Sequence, residues 1–242
     1  AASTLAVATA NSPADPALWL DFSGKAAAEG KDRTGAATLL LKSPEAVKGG
    51  SLRVKKGQEA RVRNNPALEA LTKELTISAW VAVKGVEENY QTLLFKGDRA
   101  AKPERIQLAL SLNYGYPEFK FKDAAGNWQG FMRTSAEAKT GAVKGATRRT
   151  PGTWTHLAVT FNAGVIQFYV NGVKVEGGKA AVAELAPCSD DLFIGPMVWG
   201  TGDRNYWFDG LLAELKVFEK ALSAYEVKGL CEGKESRAGN TV

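Results

Sequence analysis

Side chains able to carry chemistry are few in this 242-residue sequence. It holds one histidine, His156, and two cysteines, Cys188 and Cys231. One imidazole excludes a multi-histidine metal centre, and two thiols exclude a cysteine-built zinc ribbon. No Gly-x-Ser-x-Gly elbow, phosphate loop or cysteine–histidine dyad is present. What the sequence does offer is aromatic rings set among glycines and amides. One such stretch is Asn113-Tyr114-Gly115-Tyr116, followed by Asn127-Trp128-Gln129. The other runs from Trp199 through Asp203, Arg204, Tyr206 and Trp207. Rings of this kind can cover the apolar face of a pyranose while neighbouring polar groups hold its hydroxyls. Tyr114, Tyr116, Trp128, Trp199, Arg204, Tyr206 and Trp207 are therefore the candidate carbohydrate-binding residues. Tyr206 and Trp207 could instead open a strand and pack inward. The segment 139–149 carries Lys139, Lys144, Arg148 and Arg149 with no acid. It could meet an acidic polysaccharide or simply be a solvated loop.

The elements that must position these residues are strands. Leu75, Ile77, Ala79, Val81 and Val83 alternate with Thr76, Ser78, Trp80 and Ala82, the period of two expected of a sheet with one apolar face. Ile106, Leu108, Leu110 and Leu112 repeat the pattern. Phe119 and Phe121 alternate with Glu118, Lys120 and Lys122, which gives that strand one wet face. Leu157, Val159 and Phe161 form one face of another strand. Residues 165–170 and 173–176 flank Asn171-Gly172, the preferred two-residue hairpin turn, because both central positions need positive φ. Two more short strands are expected at 192–195 and 211–218. Helix is scarce: one turn near Pro66–Leu71, and a short helix to Leu230 opened by a Ser223-x-x-Glu226 capping box. The expected fold is all-β, a two-sheet antiparallel jelly-roll sandwich with a short C-terminal helix. Residues 1–16 read as a flexible leader or linker, and 17–242 as a single domain. Leu5–Ala10 equally fits the tail of a secretory signal.

Composition narrows the function classes. Charged residues at 24% and apolar ones at 45% exclude a disordered chain. No apolar run is long enough for a transmembrane helix. A net charge of +5, from 31 basic and 26 acidic residues, is too small for a nucleic-acid partner.

Six segments together resemble one family. They are Leu75–Val81, Gln91–Gly97, Trp154–Thr160, Phe168–Val173, Leu192–Gly195 and Phe208–Glu214, the last leading into Ala221–Val227. Their order and spacing, with Trp19–Gly24 as a first strand, resemble the laminin-G-like jelly roll of the concanavalin A-like lectin/glucanase superfamily. The resemblance covers about residues 17–230, rests on strand and turn residues, and specifies a fold more than a ligand. It makes Trp80 and Trp154 scaffold residues able to bury area in the two-sheet core. It implies His156 is a structural strand position. The hydrolases of this superfamily carry a Glu-x-Asp-x-x-Glu strand, which places paired carboxylates on one face. That pattern is missing: Glu214 is followed by Lys216 and Glu118 by Lys120. No catalytic residue is therefore assigned, and a glycan-cleaving enzyme is the third-ranked reading. The resemblance also implies a calcium ion held by Asp98 and Asp203, with Asp21 and Asp32 as further candidates. The dense acidic cluster of calcium-binding relatives is lacking after Gly195.

Cys188 and Cys231 bracket the last strand and helix. In an exported protein they would form a disulfide contributing roughly 4 kcal/mol in the chain-entropy model, and otherwise two buried thiols. The sequence thus describes a non-catalytic carbohydrate-recognition module, expected to be secreted, periplasmic or cell-surface, with a glycan or acidic polysaccharide as partner. The alternative is a structural or adhesion module contacting other protein chains.

Overall fold

The computed structural model describes residues 15–22, 31–42, 46–55, 58, 60–85, 91–98, 101, 105–132, 150–195, 197–198, 205–206 and 208–232. The signal-like stretch 5–10 and the basic segment 139–149 lie outside them. The strands are β1 (Leu18–Asp21), β2 (Lys31–Asp32), β3 (Leu39–Leu41), β4 (Val47–Lys48), β5 (Ser51–Val54) and β6 (Ala60–Val62). A one-turn helix α1 (Pro66–Glu69) follows, then β7 (Glu74–Val83), β8 (Gln91–Asp98), β9 (Arg105–Asn113), β10 (Tyr116–Lys122) and β11 (Trp128–Phe131). The remaining elements are β12 (Thr155–Asn162), β13 (Val165–Val170), β14 (Val173–Lys179), β15 (Leu192–Ile194), β16 (Met197–Val198), β17 (Asn205–Tyr206), β18 (Gly210–Phe218) and helix α2 (Ala224–Glu232).

Two antiparallel sheets face each other. The first has the order β14-β13-β12-β7-β18-β1-β2, with β5 added on β18 and β4 on β5. The second has the order β11-β10-β9-β8-β15-β6-β3, and β16 with β17 forms a separate ribbon. Leu75, Ile77, Leu157, Val159 and Phe161 from the first sheet meet Leu108, Leu110, Phe119 and Phe121 from the second. Phe161 lies 5.1 Å from Phe121 and 6.3 Å from Phe119, ring centroid to centroid. The Asn171-Gly172 turn has φ of +49° and +75°, as the hairpin requires. At the start of α2, Ser223 Oγ accepts from Glu226 N and Glu226 Oε2 accepts from Ser223 N, closing the expected box. Among the described residues no helix is long and apolar enough to cross a membrane.

Four expectations need correction. Trp80 lies on the outer face of the first sheet, half-buried and edge-on to His156 at 5.4 Å, rather than in the inter-sheet core. Ile106 leaves the face shared by Leu108 and Leu110. The pairing advances from Lys96↔Leu108 to Gly97↔Ile106, so Gln107 is an extra residue and the alternation flips. Ile106 then packs outside with Phe95 and Ala109. The face of β10 expected to be wet is covered, since Glu118 and Lys120 are both buried. Cys188 and Cys231 are free thiols, not a disulfide. Cys231 sits on α2 against Gly172 of the first sheet, whereas Cys188 is tied to the second sheet, its carbonyl bonded to Lys96 of β8.

The Phe119–Phe121–Phe161 cluster joins the two layers, so Phe161→Ala is expected to cost about 3–5 kcal/mol. Urea unfolding followed by fluorescence would show this as a lower midpoint with an unchanged slope.

Candidate functional site at the outer edge of the second sheet

The outer face of the second sheet carries a band of rings and cations. Register places Phe193 beside Phe95, Phe95 beside Ala109, and Ala109 beside Lys120. Phe95 and Phe193 stack at 4.9 Å with an interplanar angle of 10°, and the Arg61 guanidinium lies 5.8 Å from the Phe193 ring. Trp128, half-buried at the start of β11, packs against this cluster. Lys120 Nζ and Lys122 Nζ each lie 5.3 Å from its ring centroid, within cation–π range. Gly130, two residues on, allows the close approach of β11 to β10: a Cβ there would come within 2.3 Å of Phe119 O.

A cavity of about 240 Å³ opens beside Trp128 at the end of the same strands. Its first wall is the start of β9, with Arg105, Ile106 and Gln107. The second is the β10–β11 turn. There Asp123 Oδ1 accepts from Ala125 N and Asn127 N, and Oδ2 accepts from Gln129 Nε2. These bonds, that from Asn127 foremost, hold the Asp123 carboxyl below the usual range. The third wall is the strap 186–190. Ala186 N donates to Lys122 O at 2.7 Å. Asp190 takes both Nε and Nη2 of Arg105, at 3.0 and 2.9 Å, which lowers its own pKa.

One buried cation anchors the strap. Lys96 is fully buried at an inward position of β8. Its Nζ donates to Asn64 Oδ1 at 2.8 Å, Cys188 O at 2.8 Å and Asp190 O at 2.6 Å. Three donors meet three acceptors, so the ammonium is fully satisfied despite its loss of water. Burial still pushes its pKa below the ordinary lysine value.

The candidate aromatics separate. Tyr114 sits half-buried in the β9–β10 turn with φ of +48°. Tyr116, expected on a loop, opens β10 and is buried, so its ring offers a ligand no face. Strand β10 puts the Tyr114 turn and Trp128 at opposite ends, about 20 Å apart at strand rise. Tyr206 lies in β17, paired with Met197. Trp199, Asp203, Arg204 and Trp207 lie outside the described residues. The sequence pattern does not single out Arg105, Gln107, Lys122 or Asp190 as site residues, and among the described candidate rings Trp128 is the one whose strand partner, Lys122, lines the cavity.

The described calcium candidates Asp98, Asp21 and Asp32 each have protein partners. Asp98 accepts from Ala101 N and pairs with Arg105 at 3.2 Å. Asp21 pairs with Arg33 at 3.0 Å. Asp32 collects Trp19 N, Thr34 N, Ala37 N and the Thr34 hydroxyl, as a turn aspartate does. Among the described residues no group of three or more His, Cys, Asp or Glu could hold a metal.

A serine–histidine contact is also present: Ser78 Oγ and His156 Nε2 are 2.8 Å apart. Both residues are buried, and His156 Nδ1 has no partner. A catalytic imidazole needs an orienting group on that nitrogen and access to substrate. Burial, reinforced by Lys216, lowers the His156 pKa to about 4. This pair is a scaffold feature of the first sheet.

Two outcomes are expected. A histidine depressed in the folded state binds fewer protons there than when unfolded, so stability is intact above pH 6.5 and falls as pH drops toward 4. The loss reaches about 3 kcal/mol at 1.36 kcal/mol per pH unit, and His156→Gln flattens that limb of a stability–pH curve. Lys96→Met strands three acceptors and should cost on the order of 3 kcal/mol. It should also release the strap, seen as faster alkylation of Cys188 than of Cys231 under native conditions.

The comparisons with known proteins agree with this architecture. No curated protein matches the chain in sequence. Among solved structures, the binding domain of botulinum neurotoxin serotype D superposes with a TM-score of 0.65 at 15% identity, over 90% of this chain and 50% of that one. The serotype G binding domain gives 0.63 at 14%, with 90% and 50% covered. The serotype D ligand-binding domain in complex with N-acetylneuraminic acid gives 0.64 at 15%, with 90% and 51% covered. The chain thus spans about half the length of these neighbours, and at such identities the likeness is one of fold. The family model described as the concanavalin A-like lectin/glucanases superfamily, of laminin G type, matches residues 55–228. Covering most of the sequence, that match shows that the chain belongs to this superfamily.

Proposed function

We propose that the protein is a non-catalytic carbohydrate-recognition module acting outside the cytoplasm. It would bind glycan at the edge of the second sheet, around Trp128 and the adjoining cavity. The observation that carries this reading is the half-buried Trp128 ring, with two lysine ammonium groups beside it and a cavity of mixed polar and apolar lining at the end of its strand. An indole can cover the C–H face of a pyranose, while ammonium, guanidinium and carboxylate groups address its hydroxyls. A toxin domain of the same fold in complex with N-acetylneuraminic acid supports a glycan as ligand class. Support for a non-catalytic role comes from the buried state of the Ser78–His156 pair and the absence of a Glu-x-Asp-x-x-Glu strand.

A protein-contact module would call for one contiguous apolar patch. The exposed large apolar side chains among the described residues are Leu40 on β3, Met132 after β11, Val165 on β13, Val173 on β14 and Tyr225 on α2. Leu40 and Met132 belong to opposite edges of the second sheet and the other three to β13 and β14 of the first and to α2 beside it, a distribution that favours the glycan reading.

A glycan array with calcium and with chelator tests the proposal. Selective binding is expected, and it should be equal in both conditions because Arg105 already neutralises Asp98. Trp128→Ala should cost about 1–2 kcal/mol, roughly tenfold in affinity, by analogy with buried aromatic anchors. An array silent in both conditions would overturn the reading and turn the search to protein partners.

A further inference from the structure

We infer that the cavity is a subsite for a single uncharged, hydroxyl-rich ring, the end residue of a neutral glycan. The inference rests on the carbohydrate reading above and adds the class of sugar and the place where it sits.

Size comes first. A volume of about 240 Å³ has room for one six-membered ring. Walls on three sides, from β9, the β10–β11 turn and the strap, fit the end of a chain better than its middle.

Charge comes second. The lining holds two cations, Arg105 and Lys122, and two carboxylates, Asp123 and Asp190. They cancel. Arg105 is already closed on Asp190 and Asp98, and Asp123 is spent on the turn amides. An acidic sugar would therefore bring its carboxylate against two fixed carboxylates without gaining an uncommitted counter-charge from Arg105. A neutral sugar meets alternating donors and acceptors, with Ile106 and Pro187 as apolar wall.

An unused acceptor comes third. Gln107, 1% exposed, lines the cavity. Its Nε2 donates to Leu71 O at 3.0 Å and Ala186 O at 2.8 Å, which fixes the amide orientation. Its Oε1 has no partner. Buried acceptors are nearly always paired, so this oxygen, closed to solvent, calls for an enclosed water that relays a hydrogen bond to a ligand in the cavity. The strap is pinned at Lys96, Arg105 and Lys122 before any ligand arrives, so little ordering remains to oppose binding.

Cys188 provides the readout, because this half-buried residue lines the cavity while Cys231 lies on α2. The intact protein is titrated with neutral monosaccharides (glucose, galactose, mannose, N-acetylglucosamine) and with glucuronic and N-acetylneuraminic acids. Native iodoacetamide labelling is followed at each cysteine by mass spectrometry. The expected result is several-fold protection of Cys188 by a neutral sugar, an unchanged Cys231 rate, and little loss of affinity in high salt. Ser189→Trp fills the mouth from an exposed position and should lower affinity roughly tenfold or more at unchanged melting temperature. Sugar binding with unchanged Cys188 labelling and full activity of Ser189→Trp would overturn the subsite and leave the glycan reading standing. Binding of the acidic sugars alone, weakening steeply with salt, would overturn the neutral class. No binding of any sugar, on this panel or on the array, would overturn both.

Discussion

The Lys96 ammonium fixes the geometry of the site. It lies within the second sheet, without contact with water, and spends its three protons on one side-chain oxygen and two backbone carbonyls. Burying a charge is tolerable only with such complete pairing. The consequence is geometric. The segment after residue 185 touches β10 through one backbone bond at Ala186 and joins no strand until β15, yet it is held against β8 from inside by Lys96 and against β9 from outside by Arg105. The cavity exists because that segment cannot move away. At this end of the sheet, lysine and arginine supply the positive charge around which carbonyls and carboxylates converge.

Irregularities of the second sheet do the rest. The extra residue at Gln107 reverses the alternation of β9, sends Ile106 outward and brings an amide inward. Gly97 sits at the same irregularity with φ of +142°, where a Cβ would fall 2.2 Å from Arg105 O. Only glycine allows β8 and β9 to approach this closely. In the first sheet the eight pairs between β12 and β7 run without interruption, with register shifts confined to β18 against β7 and β13 against β14, and the serine–histidine contact is sealed within it.

Regular features of this chain are legible in the sequence because local chemistry and tertiary packing agree there. The β13–β14 hairpin follows from Asn171-Gly172 between alternating runs, and α2 from its capping box. The core faces of β7 and β12 follow from period-two alternation. The site is less legible for three physical reasons. A charge inside the run Leu93-Leu94-Phe95-Lys96 reads as an outward residue, since nothing local announces its distant carbonyl partners. The Arg105–Asp190 pairing spans 85 residues. A bulge leaves no local mark when the residues around it are ordinary strand formers, so alternation alone puts Ile106 on the wrong face. Trp128 could be found from its neighbours Asn127 and Gln129, whereas Tyr116 carries the same local signal and is buried by the strand it begins.

If the edge of the second sheet is the binding surface, a ligand must perturb residues far apart in sequence and close in space. An amide-resolved NMR titration with the best glycan from the array measures this directly. The account predicts shifts concentrated at the Trp128 indole N–H and at the backbone amides of Gly126, Gln107, Ala186, Cys188, Ser189 and Asp190, with the β13–β14 hairpin unmoved. Shifts centred on that hairpin or on α2, with Trp128 and the strap silent, would contradict it.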